Sequence, residues 1–187
     1  MGNVVVDMSM SLDGFIAGPK DEIEPLHDWL ADPSAVKGQA LLEDAFGRAG
    51  AVIMGRRTFD MVDAPDGWTF PDGTQFEIDV FVLTSRPRPP VTKGKTSFTF
   101  VSDGIESALV QARAVAGGKD VSVMGAQSAR QCLAAGFLDE LVIHLVPVVL
   151  GEGIALFGDG GRATFERTAL LEDPTVTHLC FRAVKAE

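Results

Sequence analysis

The stretch VSVMGAQSARQCLAAGF, Val121 to Phe137, changes character at one glycine. Val121 to Met124 is short and apolar, as a buried strand is. Gly125 breaks the run, and Gln127-Ser128 opens an apolar-periodic segment that ends at Gly136. The order is strand, glycine turn, helix. Such a turn aims free backbone N–H groups at one point, where the helix dipole adds partial positive charge. A phosphate fits there. The same turn in many α/β proteins binds nothing, and these residues alone leave both readings open.

Composition bounds the answer. A chain of 187 residues, 46% of them hydrophobic, can bury one substantial core, so a single domain over residues 1–187 is expected. The net charge of −10 argues against nucleic acid and against an anionic membrane surface as partners. Any phosphate site is then a local basic focus in an acidic protein. Cys132 and Cys180 sit among apolar residues without metal-ligand spacing, and read as reduced core residues of a cytoplasmic protein. The opening MGNVVVDMSMS lacks the basic region and apolar run of a signal peptide, and no stretch reaches the length of a membrane span.

Outward from the central unit, two more strand ends carry polar groups. Ala51 to Met54 is an apolar strand ending at Gly55, followed by a helical turn from Arg56-Arg57-Thr58-Phe59. Two arginines at a helix start are mildly disfavoured by the dipole, and make sense with an anion between them and the amides; solvated surface arginines are the other reading. Asp79 to Thr84 forms a third strand closed by Ser85-Arg86-Pro87. In open α/β sheets, ligands bind at the strands' carboxyl ends.

The remaining elements fill in around these. Asn3 to Met8 reads as a strand, followed by a long punctuated loop, Ser9 to Glu24, whose Phe15 and Ile16 turn inward. Pro25 to Leu30 reads as a helical turn, and Gln39 to Ala49 as a helix with Leu41, Leu42, Ala45 and Phe46 at helical spacing. Val62 to Glu77 is a loop anchored by Trp68 and Phe70, and Arg86 to Lys95 a proline-rich connection. A strand at Phe98 to Val101 precedes a helix at Gly104 to Ala116, with Ser102 or Asp103 as its cap. Asp139 to Leu150 reads as one long strand with Pro147 inside it, which suggests a sheet edge. Ile154 to Phe157, Ala163 to Leu171 and Val176 to Val184 complete the chain. The pattern predicts an α/β fold, a mostly parallel central sheet flanked by helices with an antiparallel C-terminal portion.

Five pieces occur in one order: SLDGFIAG (Ser11–Gly18), VIMGRRTF (Val52–Phe59), VFVLTSRP (Val80–Pro87), VMGAQSARQCL (Val123–Leu133) and DELVIHLVPVVLGEGIALF (Asp139–Phe157). Together they resemble the dihydrofolate reductase-like fold, specifically the C-terminal reductase domain of riboflavin biosynthesis and its stand-alone bacterial relatives. The resemblance implies that one NADP(H) molecule lies among the three strand ends. Gly55, Arg56, Arg57 and Thr58 would contact its phosphates, and Thr84, Ser85 and Arg86 would lie near its adenosine end. Gly125, Ala126, Gln127 and Ser128 would hold the pyrophosphate, and Ile16 and Ala17 would meet the nicotinamide. Dihydrofolate reductases have Gly-Gly where this chain has Gly125-Ala126. A methyl group there crowds the cofactor only if the backbone needs an unusual conformation.

The substrate half matches less well. The pterin-protonating carboxylate of dihydrofolate reductases aligns with Gln39, which cannot ionise, so folate reduction is not expected. The zinc deaminase signature, His-x-Glu with Pro-Cys-x-x-Cys, is absent. His144, Asp13 and Glu152 remain as pocket candidates. Each has a plain alternative: a core histidine, an Asp-Gly turn residue and a solvated turn glutamate. The expectation is an NADPH-dependent reductase of a small C=O or C=N substrate, working as a homodimer. An NADP(H)-binding sensor or interaction module without turnover is the alternative. NADPH is expected over NADH because neither the GRRT nor the LTSR turn contains a carboxylate.

Overall fold

Val4–Met10 (β1) lies near the middle of a nine-stranded sheet and shows how the layers form. Val4 and Val6 point to one face and Val5 to the other, and all three are buried. A strand covered on both sides tolerates such an uninterrupted valine run. The computed structural model describes residues 2–63, 68–69, 75–158 and 161–185.

The other strands are Phe15–Ala17 (β2), Ala49–Gly55 (β3), Asp79–Leu83 (β4), Val91–Lys93 (β5), Thr96–Val101 (β6), Asp120–Met124 (β7), Glu140–Leu145 (β8), Ile154–Ala155 (β9), Thr164–Asp173 (β10) and Val176–Val184 (β11). The helices are Val36–Arg48 (α1), Arg56–Val62 (α2), Ile105–Val115 (α3) and Ala126–Ala134 (α4), with a 3-10 turn at Asp28–Ala31. The large sheet runs β10-β11-β8-β1-β7-β3-β4-β6-β5, and β2 pairs with β9 apart from it. Strands β8, β1, β7, β3, β4 and β6 are mutually parallel, while β10, β11 and β5 join antiparallel.

One face is closed by α3 and α4. Ala108, Leu109 and Ala112 of α3 and Ala129 and Cys132 of α4 pack on Val4, Val6, Ile53, Phe81, Val121 and Val123. On the opposite face Phe59 of α2 packs with Val52, Met54, Val80, Val82, Phe98 and Phe100. A third cluster, Leu26, Trp29, Ala35, Val146 and Val176, with Leu42 of α1 against it, fills the space beside α1. Among the described residues no helix is long and apolar enough to cross a membrane.

Four expectations change. The strand predicted over Asp139–Leu150 stops at Leu145, because Pro147 has no N–H to continue the ladder. That strand is no edge: β8 is flanked by β1 and β11. Two short strands were hidden, β2 inside the punctuated loop and β5 inside the proline-rich connection. The cap of α3 is Gly104, at φ 90° and without a side-chain bond, rather than Ser102 or Asp103. Trp68 does anchor its loop, stacked 4.6 Å from Phe76, whereas Phe70 lies outside the described residues.

Candidate functional site

Because β7, β3, β4 and β6 are parallel, their carboxyl ends share one rim, and there the chain leaves a cleft of about 690 Å³. Gly55, Arg56 and Arg57 line it from the β3–α2 junction. Thr84, Ser85 and Arg86 line it after β4, and Gln127 and Ser128 from α4. The sheet thus brings together the three strand ends singled out in the sequence. The cleft also takes Asp60, Leu83, Val101, Ser102, Gly104 and Gln131.

The β4 rim is held by backbone and hydroxyl. The Thr84 N–H donates to the Val101 carbonyl (3.0 Å), and the Thr84 hydroxyl accepts from the Arg86 N–H (3.1 Å). Arg56 donates through Nε to Asp60 Oδ1 (2.8 Å) and lies over the Phe59 ring at 5.4 Å. That bond comes first among the causes raising the Arg56 guanidinium above its ordinary value. Arg57 pairs with Asp21 at 2.5 Å. Arg88, which the sequence reading passed over, stacks 4.6 Å from the Phe100 ring.

At the start of α4 the fit is closer. Gly125 has φ 87°, and a Cβ on it would stand 2.5 Å from Thr58 Oγ1, so glycine is required here twice over. Ala126, one residue on, is itself buried inside the helix with an ordinary backbone. Ser128 is 1% exposed, and its hydroxyl has no hydrogen-bond partner among the described residues. A buried hydroxyl left so costs stability unless something completes it. Ile16 and Ala17 lie on β2, with Ile16 against the main core and Ala17 buried, outside the cleft lining.

The three substrate-side candidates are not brought together at this cleft. Asp13 fastens the loop after β8, accepting from the Ser11 hydroxyl (2.6 Å) and from the Gly151 (2.7 Å) and Leu150 (3.2 Å) amides. The Ser11 bond, supported by those amides and opposed by burial, holds its carboxyl below the usual value. Glu152 is exposed in the Gly151–Gly153 turn. His144 is buried, with Nε2 2.7 Å from Asp7 Oδ1 and Nδ1 2.6 Å from Nδ1 of His178. His178 Nε2 then meets Asp173 Oδ2 at 3.1 Å. Trp29 packs on both rings and donates through Nε1 to the Ser9 hydroxyl (3.0 Å). No sequence signal joins Asp7, His178 and Asp173 to His144; only the register of β8 against β1 and β11 does.

The order of strands, the antiparallel C-terminal pair and the cleft on the parallel rim define a dihydrofolate reductase-like fold. The dihydrofolate reductase of Enterococcus faecalis, complexed with NADP(H), superposes with a TM-score of 0.64 at 13% identity, over 98% of this chain and 97% of that one. The family follows from the sequence itself: residues 3–180 match the RibD C-terminal domain, and the chain belongs to that family. A putative riboflavin biosynthesis protein from Shewanella sp. PV-4 is similar, with a TM-score of 0.74 and 25% identity over 99% of this chain and 100% of that one. The uncharacterized protein YwjB of Bacillus subtilis is 28% identical over 154 residues, 82% of this chain and 81% of that protein. A general reductase role fits this family.

Proposed function

We propose that the chain is an NADPH-dependent reductase that reduces a C=O or C=N bond of a small molecule. The observation that carries this is the hydroxyl of Ser128, a residue of the cleft lining at the start of α4, buried and without a partner among the described residues. It is a donor waiting for an acceptor, beside a glycine turn with no room for a side chain. The residues present fit a dinucleotide phosphate. Gly125 to Ser128 would hold the pyrophosphate, Gly55 to Thr58 would contact the phosphates, and Thr84 to Arg86 would lie near the adenosine end. Ile16 and Ala17 would bound the nicotinamide side. When bound, the cofactor supplies the hydride, while this chain supplies orientation and electrostatics.

The expected homodimer would pair through β10, which ends the sheet among the described residues and carries the exposed Leu170. A cytoplasmic location agrees with the free cysteines. One observation favours the reading without turnover: Asp13 and His144, the polar candidates for substrate chemistry, both spend their polar atoms on other parts of the fold. Loss of NADPH absorbance with a panel of carbonyl and imine compounds separates the two. Turnover of any member above the protein-free rate supports a reductase; binding of NADPH with no turnover across the panel favours the binding module.

A further inference from the structure

Asp60 is the one carboxylate among the described residues that line the cleft. It stands one turn along α2 from the cations, so the turn sequences do not reveal it. Its Oδ1 lies 2.8 Å from both Nε and Nη2 of Arg56. Arg57, the next cation, is drawn off to Asp21. Arg86 has no ion-pair partner among the described residues. The cleft therefore offers a phosphate one unpaired guanidinium, two that are already paired, and a nearby negative charge.

Resting on the NADPH reading above, we propose that Asp60 is the specificity-determining residue of this cleft, holding down its preference for a dinucleotide with a ribose phosphate over one with a free hydroxyl. An ionised carboxylate only accepts hydrogen bonds. It repels a phosphate dianion, which must also compete with it for Arg56, whereas a ribose hydroxyl can donate to it. Arg86 alone then carries most of the preference for the phosphate. Replacing Asp60 by asparagine keeps the shape, removes the charge and releases Arg56 to the ligand.

Calorimetric titration of NADPH and NADH into the parent, Asp60→Asn, Arg56→Ala and the double variant tests this. The ratio of NADPH to NADH affinity should rise about two- to fivefold in Asp60→Asn, the scale of one partly exposed charge. The rise should be smaller in the Arg56→Ala background, where only the direct repulsion is left. A ratio that stays level or falls in Asp60→Asn overturns the proposal, as does an equal rise without Arg56. A parent that binds neither dinucleotide overturns the NADPH reading, and this inference with it; binding of both with an unmoved ratio overturns this inference alone.

Discussion

The Nδ1 atoms of His144 and His178 face each other across 2.6 Å, in the middle of a chain that runs from Asp7 to Asp173. Each of its three contacts needs one hydrogen, and two neutral imidazoles carry two. Which contact goes without one follows the tautomers of the two rings, and Asp173 Oδ2 also accepts from the Gly38 N–H, at 2.8 Å. His144 is thus a joint between β1, β8 and β11.

For His144→Ala we expect a loss of about 1–3 kcal/mol, since Asp7 and His178 are left without their partner. In a domain of this size that is a fall in Tm of about 2–4 °C per kcal/mol. NADPH affinity should stay put, because His144 lies outside the cleft. Scanning calorimetry and a cofactor titration check both halves; an unchanged Tm with lowered turnover would return His144 to the substrate pocket.

Acid should weaken the fold in two windows. Burial, with His144 adding to it, holds the His178 imidazole below its ordinary value of 6.5, and His27 is lowered by the same two causes. The unfolded chain therefore binds these protons first, so stability is full above pH 6.5 and is lost as pH falls from there through the folded values. Near these rings stand Asp7, Asp173, Glu24, Asp28, Lys37 and Cys180. Asp173 opens the second window. Burial works to raise its carboxyl, but the Gly38 and Lys37 amides and His178 outweigh that and hold it below 3.8. Its contribution is lost only as pH falls below that value. Melting curves from pH 8 to 4 should show the first decline, and His178→Gln should flatten it; an identical slope in that variant would contradict the assignment.

Gly38 is where α1 meets this chain. A Cβ there would lie 2.5 Å from His178 Cε1 and 2.6 Å from Trp29 Cζ3, both parts of rigid rings. Gly38→Ala should cost about 1–3 kcal/mol by overpacking, although alanine is the better helix former. Urea unfolding measures it. A variant as stable as the parent would mean that α1 shifts freely on the sheet.

Much of the cleft was legible because its signals are local. An apolar run followed by polar residues marks the strand ends at Gly55, Thr84 and Gly125, with a glycine at the first and last, and parallel order alone lines them up. What stayed hidden depends on turns of helix and on strand order. Asp60 reaches the cleft one helical turn from Arg56, and Ser102 and Gly104 through the pairing of β6 with β4. Pro147 was legible as an interruption, but its consequence was misread, because strand order, not composition, decides which strand is an edge. β5 escaped notice as three residues next to prolines, too short for any periodicity.

The most direct measurement is calorimetric binding of NADPH to the parent and to Ser128→Ala, with the melting temperature of each free protein. In the free protein the Ser128 hydroxyl is buried and without a partner among the described residues, so its removal should leave stability equal or higher. With NADPH the same hydroxyl gains an ionised acceptor, so the variant should bind about tenfold or more weakly, a loss of about 1.5 kcal/mol or more. Saturable binding by the parent, weakened in a variant that melts no lower, is the expected result. No NADPH binding by the parent, or equal affinity in the two proteins, would contradict a cofactor phosphate at the start of α4.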